Sequence, residues 1–245
     1  MSALKRFFID EIAKECALTG EEFEHAKNVL RLAEGDEIVL LDNSGKEYSA
    51  VIAKVEKRQM LLNVIGENEG EREANANIAL AFGYLKNADK NEFIVQKAVE
   101  LGVKKIVAFS SEYSSAYMNA NKLERLNKVA REATKQCLRS VAPTVEYAET
   151  LQEALSALGA YENKLFACEF AKYSEIELSA LRGSTAIVIG SEGGFSQAEA
   201  DEAKKNGFAF VSLGKRILRA ETAAVALTGV VAFALGELGE TEKGV

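Results

Sequence analysis

Tryptophan is absent from this 245-residue chain, and proline and histidine occur once each. The single histidine, His25, rules out a histidine cluster, so acid–base chemistry must rest on carboxylates, on groups polarised by arginine, or on the substrate. The three cysteines, Cys16, Cys137 and Cys168, form no C-x-x-C pair, which leaves neither a disulfide framework nor a zinc site signalled and suggests a reducing cytoplasm. No metal is expected. The start, MSALKRFFIDE, holds no apolar run of signal-peptide length. The longest uncharged stretch, Thr222 to Gly236, is shorter than the roughly 20 residues that cross a bilayer, so no membrane association is expected. What is present is ordinary globular material: 48% hydrophobic residues, enough for a real core, and a net charge of −7 that argues against nucleic-acid binding by bulk charge alone.

The polar, glycine-bearing stretch from Gly66 to Ala76 divides the chain into residues 1–72 and 73–245. In the first part, Arg6-Phe7-Phe8-Ile9 precedes a short helix that Thr19 and Glu22 are placed to cap. Three strand-like runs follow, Glu37 to Leu41, Glu47 to Val55 and Met60 to Ile65, with Asn43-Ser44-Gly45 as the first turn. A small β domain, read as a barrel, follows from this. The second part has apolar runs at Ile78 to Phe82, Ile106 to Phe109, Lys164 to Cys168, Ala186 to Ile189 and Phe208 to Leu213. Helical segments separate them, which is the pattern of an α/β parallel sheet. Asp89 with Glu92, Thr150 with Glu153 and Ser196 with Glu199 have capping-box spacing, and Gly102 and Gly207 stand where helices should stop.

Three segments carry candidate chemistry. Ile189-Gly190-Ser191-Glu192-Gly193-Gly194-Phe195 follows a buried-type strand. Its glycines either serve the turn alone or let the backbone approach a ligand, and Glu192 disfavours a phosphate there. Leu213 to Thr222 repeats the strand–glycine–helix arrangement. Arg219 stands at a helix start, where a cation opposes the macrodipole, and Glu221 is either a helix-start carboxylate or a functional one. From Asn119 to Ser140, Arg125, Lys128, Arg131, Lys135 and Arg139 fall opposite an apolar face. That stripe is either an ordinary solvated face or a contact for phosphate, and Lys86 and Lys90 could extend it.

Arg6-Phe7-Phe8, His25 with Val29-Leu30-Arg31 and Gly35-Asp36, Gln96 to Val103, the Gly190 to Ser196 loop and Leu213-Gly214 through Arg219-Ala220-Glu221-Thr222 resemble the RsmE family of bacterial 16S ribosomal RNA uracil-N3 methyltransferases, of the SPOUT superfamily. The resemblance spans nearly the whole chain. It implies a PUA-like β-barrel domain assisting RNA binding and an α/β SPOUT methyltransferase domain with a C-terminal trefoil knot. It further implies S-adenosyl-L-methionine as methyl donor, a homodimer, and a uridine of 16S rRNA in the assembled 30S subunit as acceptor. In that reading Arg219, Glu221 and Glu192 are catalytic. Ile189, Gly190, Ser191, Gly193, Gly194, Phe195, Leu213, Gly214, Ile217, Leu218 and Thr222 hold the donor. Arg6, Arg31, Lys86, Lys90, Arg125, Lys128, Arg131, Lys135 and Arg139 meet RNA. Ser191 replaces a proline usual in the family, Tyr113 an arginine, and Lys135 a glutamate. The rival readings are another SPOUT enzyme acting on transfer RNA or a ribose 2′-oxygen, or a non-catalytic RNA-binding protein.

Overall fold

The computed structural model describes residues 4–169 and 171–239. The chain divides into two compact units, Met1–Glu73 with Thr134–Ala142, and Ala74–Ala133 with Pro143–Val245.

In the first unit, strands β1 (Lys5–Phe8), β2 (Glu15–Leu18), β3 (Glu37–Leu41), β4 (Lys46–Val55) and β5 (Met60–Glu69) form one sheet in the order β1-β3-β4-β5-β2. β1 runs parallel to β3 and the other pairs are antiparallel. Two register shifts between β4 and β5, at Ser49/Ala50 and Ile52/Lys54, add the local twist that curls the sheet into a half-barrel. Phe7, Leu18, Phe23, Ile38, Leu40 and Met60 fill its concave core. The turn after β3 places Asn43 and Gly45 at φ 64° and 95°, a conformation that these two residue types tolerate best. β2 was not expected, because four residues are too few for an alternating pattern to register. The short helix α1 (Gly20–Glu24) continues as a π-helical turn, His25–Val29. Thr19 does stand at its N-cap, but its side chain makes no capping bond, and the Glu22 carboxylate, the other half of the expected box, binds the Lys135 ammonium at 3.1 Å.

The second unit is built on a six-stranded parallel sheet. Its strands are β6 (Ile78–Gly83), β7 (Lys105–Phe109), β8 (Val145–Ala148), β9 (Asn163–Ala167), β10 (Thr185–Ile189) and β11 (Ala209–Val211), in the order β11-β9-β10-β6-β7-β8. Every residue of the two central strands β6 and β10 is buried, which explains their unbroken apolar runs. The helices are α2 (Ala88–Glu100), α3 (Ala120–Gln136), α4 (Leu151–Ala157), α5 (Gln197–Lys205) and α6 (Ala220–Ala234). Gly102 and Gly207, at φ 83° and 79°, end α2 and α5 as expected. Ser196 and Glu199 form a complete capping box on α5. Thr150 caps α4 through the Glu153 N–H, whereas α2 is capped by Asn87, not Asp89, because the Asn87 side chain reaches the Asp89 N–H. Glu92, the expected partner in that box, pairs with Arg125 instead.

Candidate active site

β10 ends at the sheet's carboxyl edge, where Gly190 begins a turn that the Ser196 capping box closes four residues after Glu192. The turn is held by close backbone approaches. A Cβ on Gly190 would lie 3.1 Å from the Phe195 ring and 3.2 Å from the Gly194 backbone, and one on Gly193 would lie 2.6 Å from the Tyr113 Cβ. Gly83, the last residue of β6, leaves only 2.5 Å between a would-be Cβ and the Ser191 nitrogen. Gly194 adopts φ 69°. Ser191 is buried, and its hydroxyl lies 3.2 Å from that of Ser111. Phe195 faces inward, its ring centroid 4.1 Å from that of Phe166, so it anchors the loop in the core while edging the cavity.

The second wall follows β11. Gly214 takes φ 95°, Ile217 is 94% exposed, and Arg219 forms the N-cap of α6 with an extended backbone and no capping bond from its side chain. A third wall, Ala167 to Glu169 with Ala171, leaves the end of β9. These walls enclose a cavity of about 580 Å³, a volume typical of small-molecule sites. Ile189, Gly190, Ser191, Glu192, Gly193, Gly194, Phe195, Leu213, Gly214, Ile217, Leu218, Arg219 and Glu221 all line it. Thr222 does not: it is exposed on the first turn of α6, beyond the wall.

The cavity's charge is mixed. The first loop contributes Glu192, whose carboxylate accepts the Lys86 backbone N–H at 3.2 Å; the second brings Lys215, Arg216 and Arg219, and the third Glu169. Lys90, expected on an RNA-facing surface, instead lines this cavity and pairs with Glu221 at 3.0 Å. The Glu221 side chain is largely buried, and its Oε2 has no hydrogen-bond partner among the described residues. Burial, the largest single influence, pushes its carboxyl up. The Glu221 backbone N–H, the Lys90 ammonium and the Arg219 charge together outweigh that and hold it below the usual carboxylate range.

Sequence reasoning missed Lys90, Cys168 and Glu169 as parts of this site. Strand order brings the last two in, because β9 lies beside β10, and no local motif records that adjacency.

The basic stripe is shorter than its helical spacing implied. Arg125, Lys128 and Arg131 are exposed, with Arg125 paired to Glu92 and Lys128 to Glu124. Lys135 and Arg139 are buried, with side chains 7% and 4% exposed, because carboxylates reach both: Glu22 binds Lys135 and Glu73 binds Arg139. Arg6 is likewise buried, in an ion pair with Glu47. These three side chains present no cation to a phosphate. Arg31 and Lys86 are exposed.

Residues 72–232 match the family model of an RNA methyltransferase domain, and residues 18–65 that of an RNA methyltransferase PUA domain. The chain belongs to this RNA methyltransferase family. Among its relatives, the ribosomal RNA small subunit methyltransferase E of Bacillus subtilis is 31% identical over 94% of this chain and 96% of that protein. That of Mesomycoplasma hyopneumoniae is 32% identical over 91% and 96%. Among solved structures, the ribosomal RNA small subunit methyltransferase E of Neisseria gonorrhoeae, bound to S-adenosylmethionine, superposes with a TM-score of 0.87 at 28% identity. The alignment covers 97% of this chain and all of that one. A Legionella pneumophila protein solved with the same cofactor gives 0.89 at 28% identity, covering 96% and 100%. The family's fold, a SPOUT-type methyltransferase domain preceded by a PUA domain, is thus the fold of this chain.

Proposed function

We propose that the protein transfers a methyl group from S-adenosylmethionine to N3 of a uridine in 16S ribosomal RNA, acting on the assembled small subunit in the cytoplasm. One observation carries this reading: two glycine-bearing loops, leaving β10 and β11 on either side of β9, wall a single cavity with Arg219 and the Lys90–Glu221 pair at its edge. The cavity suits the donor. Its volume is adequate, side chains at Gly190 and Gly193 would force the wall to shift, Glu192 and Glu169 offer negative charge to a cationic ligand, and Ile189, Leu213, Ile217 and Leu218 supply apolar surface for an adenine.

When bound there, S-adenosylmethionine supplies an activated methyl on a positively charged sulfur: the sulfur–carbon bond breaks as the carbon–nitrogen bond forms, and S-adenosylhomocysteine leaves. The protein's own task is to present uracil N3 unpaired and without its proton. Turning the nucleotide out of its stack costs a few kcal/mol, met by phosphate contacts from exposed residues such as Arg125, Lys128, Arg131, Arg31 and Lys86, and by the pocket. Loss of the N3 proton leaves negative charge on the ring oxygens, which the Arg219 guanidinium stabilises. Glu192 and Glu221 are the carboxylates available to receive that proton or to orient the arginine.

The same reading makes the protein a homodimer and gives its C-terminal part the trefoil knot of the superfamily. Val230 and Phe233 on α6 and Phe93 on α2, helices that pack together, are 44%, 67% and 42% exposed, an apolar face suited to a second copy.

Labelled methyl transfer to small subunits, to free 16S rRNA and to transfer RNA tests the substrate, and nucleoside mass spectrometry tests the product. The expected result is 3-methyluridine in small subunits, absent from cells lacking the protein. Label in transfer RNA or on a ribose 2′-oxygen would overturn the assignment. Arg219→Ala is expected to lower turnover at least about 100-fold while calorimetry still detects donor binding.

A further inference from the structure

Lys90 does not belong to either loop that walls the cavity, yet its ammonium reaches Glu221 at 3.0 Å across from another helix. Its own placement is rigid. The next residue, Asn91, is fully buried, and its side chain accepts the Leu85 N–H at 2.9 Å and donates to the Leu85 and Asn87 carbonyls at 2.8 and 3.0 Å. The first turn of α2 is therefore pinned to the segment leaving β6, and Lys90 is delivered to one place. Glu221 is equally constrained, sitting in the first turn of α6 two residues beyond Arg219. The ionisable groups that bear on Glu221 are Lys90 from α2 and Arg219 from the α6 N-cap, both cationic.

A carboxylate held by one cation and stabilised by a second loses basicity, which makes it a poor receiver for the proton of a weak acid such as uracil N3. The same arrangement makes it a good fixed counter-charge, keeping two cations at the cavity wall where negative charge develops. We propose that Lys90 is a positioning residue for methyl transfer, and that Glu221, locked by it, orients the site's cations and does not accept the N3 proton. This rests on the methyl-transfer reading above and assigns the proton to another acceptor, Glu192 or solvent.

The test compares wild type, Lys90→Met, Lys90→Arg and Glu221→Gln in labelled methyl transfer to small subunits, with donor affinity measured by calorimetry. Lys90→Met is expected to lower kcat about 10- to 100-fold, with the KM for subunits and the donor Kd each within about twofold of wild type. Lys90→Arg restores most of the lost kcat. Glu221→Gln, which keeps shape and hydrogen bonding, loses about tenfold or less, against the 10²–10⁴ expected for removal of a general base. The proposal is overturned by an unchanged kcat in Lys90→Met, by an arginine variant no better than the methionine one, or by a Glu221→Gln loss beyond about 100-fold. Wild-type protein that binds the donor yet labels no subunit sinks the underlying reading, and this proposal with it, a result distinct from any difference among the variants.

Discussion

At the scale of single residues, the site depends on positions where even one methyl group is too many. Gly193 is the sharpest case: its missing Cβ would stand 2.6 Å from the Tyr113 Cβ and 3.2 Å from the Tyr113 carbonyl oxygen, so alanine there must displace one loop or the other. Overpacking of this kind costs about 1–3 kcal/mol. Gly193→Ala is therefore expected to weaken S-adenosylmethionine binding by about tenfold or more in calorimetry. Adding Tyr113→Gly removes the obstructing carbon and should recover part of that affinity; a double variant as weak as the single one would place the damage elsewhere. Glycine enrichment was visible in the chain itself, but the identity of the neighbour was not, since Tyr113 lies on the loop after β7.

At the scale of elements, two features decide how loops and segments are held. The Ser196 hydroxyl accepts the Glu199 N–H at 3.2 Å while the Glu199 carboxylate accepts the Ser196 N–H at 2.9 Å, so the glycine loop ends on a satisfied helix terminus. Ser196→Ala should cost about 1 kcal/mol in chemical denaturation. The second feature is the segment after α3. Glu73 receives the Arg139 Nε and Nη2 at 3.3 and 3.1 Å and the backbone N–H groups of Ser140 and Val141 at 2.9 and 3.0 Å. Leu138 holds φ 65° to make that geometry. Glu73→Ala leaves a buried guanidinium without its counter-charge, and a loss of about 3 kcal/mol is expected in urea unfolding of the purified protein. Helical periodicity alone assigned Lys135 and Arg139 to solvent. The acids that bury them, Glu22 and Glu73, lie 113 and 66 residues away along the chain, beyond the reach of any local pattern.

At the scale of the whole molecule, net charge and exposed surface carry the argument. The chain is acidic overall, so RNA affinity must come from local groups of exposed cations and not from net charge. The apolar face of α6 is the other large-scale feature. Under the proposed homodimer, Phe233→Glu, which places a charge on the aromatic of this helix, is expected to yield a monomer where the wild type sediments or scatters as a dimer. An unchanged mass would remove this face from the interface.

Much of the architecture was legible in the chain because its causes are local. Unbroken apolar runs became the buried strands β6 and β10, runs rich in β-branched and apolar residues became β3 to β5, and the glycines after β10 and β11 marked the loops of the cavity. The strands β2 and β8 were not legible, because ECAL and VEYA are short and each carries a glutamate, so neither forms an apolar run. Tertiary structure alone decided which strand ends border the cavity, that Lys90 lines it and pairs with Glu221, and that three basic side chains are neutralised by distant carboxylates. Periodicity and capping act over a few residues, whereas the partner of a charge is chosen by whatever the folded chain brings within about 4 Å of it.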